Sequence, residues 1–253
     1  PKPTMAELDV YHGTPHRFPA TEANPLGEFD ASKIGTGEGA QAYGHGVYLA
    51  QAPDVAEGYR RTLVGKINDR VTVDGKPVKD DIFGRAVEKM GLFGKKSALQ
   101  DIDDQINFYS KYEPDFAEYY KSARKQIEDL DPESVKVNKG SLYKADLPDE
   151  MIDRMLDFDK PFLDQSQEIK DFAKTMLPPR VYDRVLMERT GDFIEALGVY
   201  KGGKAKAAEL LRQAGIPGIK YLDAGSRGQG SSGTRNFVVF PGEEKKVRIL
   251  ERK

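Results

Sequence analysis

The chain has 253 residues, 38% hydrophobic and 32% charged, enough apolar material for one large domain or a domain with an insertion. A net charge of −2 excludes a generally basic nucleic-acid binder, and the absence of cysteine excludes disulfides, thiol catalysis and cysteine-ligated zinc. No apolar run approaches the roughly 18–20 residues of a membrane helix, and Pro-Lys-Pro-Thr-Met at the start lacks a signal-peptide core. Met5 reads equally as a natural start or an internal residue, so the sequence also suits a module of a longer chain.

Residues 8–11 form a short apolar run ending in His12-Gly13-Thr14-Pro15, which reads as a strand followed by a sharp turn. Residues 17–28 are turn-rich, and 29–34 read as a turn or helix start. Residues 37–59 combine small flexible residues, the run Tyr43-Gly44-His45-Gly46, a short strand over 47–50 and a helix entered after Pro53. This unit puts Tyr48 on the strand and Tyr59 on the helix, so two rings can face each other across a gap that admits a flat aromatic ring. Residues 71–78 read as a hairpin turning at Asp74-Gly75.

From 79 to 130 the apolar period is helical, with Pro114 separating two helices. This polar, tyrosine-bearing block, with the hairpin before it, reads as an insertion at about 64–140 in an otherwise single domain. Apolar–polar alternation over 141–147 predicts a half-buried strand. Helices follow over 149–157 and over 166–177, the second stopped by Pro178-Pro179. A continuous helix over 181–198 comes next, then an amphipathic helix over 204–214 capped by Gly215. Strands over 219–222, 237–240 and 247–250 complete the chain, the first two separated by a Gly/Ser/Thr-rich loop over 223–235. The order predicts an α+β fold in which both ends of the chain share a sheet system. Residues 201–253 carry 12 Lys/Arg against 5 Asp/Glu, a charge of +7 that leaves −9 for the rest. Such an end either meets phosphate, on a cofactor or a nucleic acid, or is simply solvated.

All three histidines, His12, His16 and His45, lie in the first fifth of the chain. The His12–His16 spacing suits a helical metal pair, but Gly13 and Pro15 intervene and no glutamate sits where the helical metalloprotease motif requires one, so no metal is expected. Glycines at 35, 37, 39, 44 and 46 do not precede Gly-Lys-Ser/Thr and do not join a strand to a helix as a dinucleotide fingerprint does, so a flexible loop is the better reading, one that also suits a lid over a ligand. Tyr48 and Tyr59 alone read as core residues. His12-Gly13-Thr14 changes that, because a glycine backbone offers a donor and an acceptor to a carboxamide with no side chain in the way.

Together these segments resemble the diphtheria-toxin and poly(ADP-ribose)-polymerase branch of ADP-ribosyltransferases. Its first motif is a strand ending in His-Gly-Ser/Thr, matched by His12-Gly13-Thr14. Its second, Tyr/Phe-Gly-x-Gly-Ile/Val-Tyr-Phe/Leu-Ala with a tyrosine about eleven residues on, is matched by residues 43–50 and Tyr59. Residues 142–147 resemble its next core strand, and Asn236-Phe237-Val238-Val239-Phe240 its third motif. Within the branch the wording is similar to domains of phage and mobile-element polyvalent proteins, through the runs over 35–46 and 215–223. The resemblance covers about half the chain and implies a split, mixed or antiparallel ADP-ribosyltransferase-like sheet with a mainly helical insertion.

Carried over by motif, the resemblance implies NAD as substrate and no metal. His12 would bond a ribose hydroxyl, Gly13 the nicotinamide carboxamide through its backbone, and Tyr48 and Tyr59 would sandwich the ring. A hydroxyl residue common three positions before the second tyrosine is Ala56 here, so one carboxamide contact is either missing or supplied by Thr14. Polymerases of the branch carry glutamate where this chain has Asn236, which hydrogen-bonds but offers no charge to a developing cation; the loss costs on the order of 3 kcal/mol. Asp223 and Gln229 stand nearby, yet the Gln/Glu-x-Glu motif of the arginine-modifying branch is absent.

The resemblance therefore implies a mono-ADP-ribosyltransferase acting on a protein or nucleic-acid acceptor, in the manner of a phage or toxin effector. Its catalytic residues would be His12, Tyr48 and Asn236, and its NAD-binding residues His12, Gly13, Thr14, Tyr48 and Tyr59. An NAD glycohydrolase and a catalytically weak NAD or ADP-ribose binding module are the alternatives. The setting implied is a bacterial cytoplasm, reached as part of a larger chain, with an immunity or partner protein as a further contact and no membrane.

Overall fold

The computed structural model describes residues 8–34, 41–223, 226 and 233–253. The expected glycines at 35, 37 and 39, and most of the 223–235 loop including Gln229, lie outside the described residues. The fold is α+β and divides into two compact units, one made of Pro1–Leu63 with Gly140–Lys253 and the other of Val64–Lys139.

The first unit is built on a seven-stranded mixed sheet. Its strands are β1 (Leu8–Thr14), β2 (Val47–Ala50), β6 (Ser141–Leu147), β7 (Leu156–Asp157), β8 (Gly218–Leu222), β9 (Arg235–Val239) and β10 (Arg248–Arg252), in spatial order β10-β6-β1-β2-β9-β8-β7. All neighbours are antiparallel except β7 and β8. Residues on β9 alternate between two cores. Val238 joins Leu156, Phe193, Leu197 and Ile219 on one face, while Phe237 and Val239 join Val10, Leu49, Ala145 and Leu147 on the other. Burial on both faces explains the unbroken apolar run Phe237-Val238-Val239. On β6 the expected alternation holds: Ser141, Tyr143, Ala145 and Leu147 are buried and the residues between them are half-exposed.

Helix α1 (Pro53–Leu63) follows β2 and lies across β1. The remaining helices of this unit are α6 (Asp149–Arg154), α7 (Gln167–Met176), α8 (Pro179–Val185), α9 (Thr190–Lys201) and α10 (Lys204–Gln213). Three expectations need correction. The strand that begins at Leu8 runs through Gly13 to Thr14, because β6 pairs with every residue of it; His12-Gly13-Thr14 is strand and not turn. The helix expected over 149–157 stops at Arg154, and Leu156–Asp157 becomes β7 alongside β8. The continuous helix expected over 181–198 is two helices. Arg189 is extended, and its N–H donates to Asp192 Oδ2 at 3.0 Å, so Asp192 starts α9 afresh.

The second unit, Val64–Lys139, has a small sheet in the order β4-β3-β5, made of β3 (Val71–Val73), β4 (Lys76–Pro77) and β5 (Val135–Val137). The hairpin turns at Asp74 and Gly75, with φ of 49° and 75°. Helices α2 (Ile67–Arg70), α3 (Ile82–Phe93), α4 (Lys95–Tyr112) and α5 (Pro114–Asp129) complete the unit, and Val71, Val87, Ala98, Ile102 and Ile127 are in its core. Asp81 caps α3 by accepting from Gly84 N at 2.9 Å, and Pro114 opens α5.

One packing contact sets how close α1 comes to β1. A Cβ on Gly13 would lie 1.8 Å from the Ala56 carbonyl oxygen and 2.6 Å from Arg60 N, so only glycine permits this approach. Gly13→Ala is expected to lower stability by about 3 kcal/mol through overpacking, read as a lower urea midpoint at unchanged slope. An unchanged midpoint would contradict the contact.

Candidate functional site

The sheet opens beside α1. β1 and β2 pair only at Tyr11↔Ala50. Beyond that point β1 continues along β6 and β2 along β9, and the gap becomes a cavity of about 170 Å³. Such a space holds roughly a dozen water-sized groups. His12, Gly13 and Thr14 from β1, Tyr48 from β2, Ala56 and Tyr59 from α1, and Asn236 from β9 all line it. Every residue assigned to the site from the motifs thus reaches one cavity, although they come from three separated stretches of the chain.

His12 bridges the gap. Its ring lies 2.8 Å, through Nδ1, from the Tyr48 carbonyl oxygen. A carbonyl only accepts, so Nδ1 carries the proton and the neutral ring presents Nε2 as an acceptor. Phe29 stands edge-on to the imidazole at 5.3 Å and Phe18 is stacked near it at 6.1 Å. Burial among these rings pushes the His12 pKa down to about 4; the bond to Tyr48 opposes the fall and His16 adds to it.

Tyr48 is held at its far end. Its hydroxyl donates to Gly44 O at 2.8 Å and accepts from Tyr43 N at 3.2 Å, so the phenol anchors the 41–46 turn. Burial raises its pKa above the ordinary phenol value. Tyr59 is 40% exposed and lines the same cavity as Tyr48. Thr14 is buried, and its Oγ1 accepts from His16 N at 3.3 Å. Ala56 is also buried, its carbonyl oxygen against Gly13, so the helix meets the strand where the resemblance expects a hydroxyl side chain.

Asn236 is 5% exposed, and its Oδ1 meets no hydrogen-bond partner. Directly opposite it on β8 stands Tyr221, 2% exposed, also in the cavity lining, whose hydroxyl is likewise without a partner. Burial raises the Tyr221 pKa, and Tyr59, Tyr48 and Tyr43 raise it further. The Asn236 side chain beside the hydroxyl opposes the rise. Motif matching did not single out Tyr221, although it sits in the distinctive run over 215–223. The residue that would have flagged it is Asn236, its cross-strand neighbour.

At the mouth stand His16, Asp30 and Lys33. Burial lowers the His16 pKa, Lys33 lowers it further and Asp30 opposes. Asp30, the one carboxylate among the described lining residues, accepts from Ser32 N at 2.9 Å. Asp223 does not line the cavity. It accepts from Ser226 and Thr234 and so closes the neck of its own loop. Among the described residues no group of His, Asp or Glu side chains has the arrangement of a metal site, and no helix is long and apolar enough to cross a membrane.

The chain matches no family model, no curated protein and no solved structure among known proteins.

The state of His12 has a measurable consequence. Between about pH 6.5 and about pH 4 the folded protein binds fewer protons at His12 than the unfolded chain, so stability falls as pH drops through that window. From pH 7 to pH 5 the wild type should lose roughly 2 kcal/mol more than His12→Gln, measured by urea unfolding at both pH values. Equal losses would contradict a buried neutral imidazole.

Proposed function

We propose that the cavity binds NAD by its nicotinamide end and that the protein is a mono-ADP-ribosyltransferase with an ADP-ribosyltransferase-like core. The observation that carries this reading is the convergence of His12, Gly13, Thr14, Tyr48, Tyr59 and Asn236 on one cavity where the sheet opens. The order of those residues along the chain is that of the three motifs. The orphaned polar atoms of Tyr221 and Asn236 also fit a polar ligand, since buried groups without partners are costly unless something binds them.

NAD would supply a glycosidic bond whose cleavage releases nicotinamide and develops positive charge on the ribosyl carbon. Tyr48 and Tyr59 offer π-faces to the pyridine ring. His12 Nε2 is an acceptor for a ribose hydroxyl and, being neutral, adds no like charge to the developing cation. Asn236 accepts a hydrogen bond but brings no negative charge, so the site orients its substrate more than it stabilises the charged transition state. That favours single transfers over chain elongation. The acceptor is a protein or nucleic acid, and the basic stretch over 201–253 suits a phosphate-bearing one.

A second reading has its own support in Asn236: a module that binds NAD or ADP-ribose with little turnover, or one that transfers ADP-ribose slowly to water. Incubation with labelled NAD and a cell extract separates these. The transferase reading expects label on macromolecules and nicotinamide release above that of Tyr48→Ala. Release without labelled acceptor indicates hydrolysis, and binding without release indicates the module.

Asn236→Asp keeps the side-chain shape and adds charge. Because the position is buried, the new carboxyl should ionise above its ordinary range. Nicotinamide release should therefore climb with pH and exceed the wild type on the order of ten- to a hundredfold once the group is ionised. A rate in Asn236→Asp equal to wild type at every pH would contradict the assignment of Asn236.

A further inference from the structure

Two buried polar atoms side by side, neither with a partner, are an unusual expense in a folded protein. Here they are Tyr221 Oη and Asn236 Oδ1, on residues paired directly across β8 and β9, and both side chains line the cavity. The Tyr221 ring is fixed by Tyr43, stacked on it at 3.8 Å between centroids and 13° between planes. Tyr43 belongs to the turn that the Tyr48 hydroxyl anchors, and Phe158 stands edge-on to its other side at 4.9 Å. The Tyr221 hydroxyl is therefore pre-positioned by two further aromatic residues, beside the Asn236 side chain and with no well-formed hydrogen bond of its own.

We infer that Tyr221 is a ligand-contacting specificity residue, and that its hydroxyl and Asn236 Oδ1 form a neutral donor–acceptor pair for a sugar hydroxyl or vicinal diol. Oη donates, and Oδ1 accepts. A carboxylate or phosphate oxygen would satisfy Oη but face the lone pairs of Oδ1. An ammonium would satisfy Oδ1 and leave the Oη proton unused. A hydroxyl satisfies both at once, accepting from Tyr221 and donating to Asn236. The inference rests on the NAD reading, which supplies the ribose, and extends it to a strand that lies outside the three motifs. It also accounts for Asn236: next to a phenol that stays protonated, an amide oxygen completes the pair without bringing a second titrating group into the site.

The test is Tyr221→Phe, which removes one oxygen and no packing surface. Calorimetric titration of the full chain is carried out with NAD and, separately, with nicotinamide, which has no ribose. Loss of one hydrogen bond should weaken NAD binding roughly three- to tenfold and leave nicotinamide affinity unchanged. The ligand-free variant should melt at the same temperature as wild type or slightly higher, because a buried hydroxyl without a partner has gone. Unchanged NAD affinity in Tyr221→Phe, or an equal loss for NAD and nicotinamide, overturns the assignment while the NAD reading stands. A melting temperature lowered by several degrees also overturns it, by giving the hydroxyl a structural role. If wild type binds neither compound, the NAD reading fails and this inference fails with it.

Discussion

The site depends on one departure from regular pairing: β1 and β2 are neighbours in the sheet but meet at a single residue pair. A sheet that opens in its middle exposes backbone that must be satisfied or covered. Here the imidazole of His12 donates across the gap to the Tyr48 carbonyl, α1 covers β1 through the contact that only Gly13 allows, and Tyr48 ties its own hydroxyl to the 41–46 turn. His12, Gly13 and Tyr48 are therefore structural and site residues at once. Substituting any of them changes the walls of the cavity as well as its chemistry.

The strand and helix units that build the cavity were legible because their local patterns agree with their burial. Val47–Ala50, the helix after Pro53 and the alternation on Ser141–Leu147 each read correctly from period and composition, while the strand expected over 237–240 is found at Arg235–Val239, two residues earlier at its start and one at its end. What failed was non-local. A glycine inside a strand looks like a turn until β6 is seen to pair along its whole length. The two-residue β7 has no periodicity to read, and the break before α9 depends on the Asp192 side chain reaching back to Arg189. Tyr221 was missed for the same reason: its importance lies in what it faces on β9.

Electrostatically the site is neutral where the chemistry would occur. His12 is held uncharged by burial, Tyr48 and Tyr221 are kept protonated, and Asn236 is an uncharged amide. Among the described lining residues the charged side chains are Asp30 and Lys33. Such a site binds through contact area and hydrogen-bond geometry. On the proposed function, acceleration would come from positioning more than from a fixed charge.

The central claim is that the opening between β1 and β2 receives a pyridine carboxamide between Tyr48 and Tyr59. The most direct measurement is a two-dimensional amide NMR titration of the full chain with nicotinamide. The account predicts saturable shifts centred on the backbone of Gly13, Thr14 and Tyr48, and on Tyr59. Shifts confined to Val64–Lys139, or none at saturating nicotinamide, would contradict it.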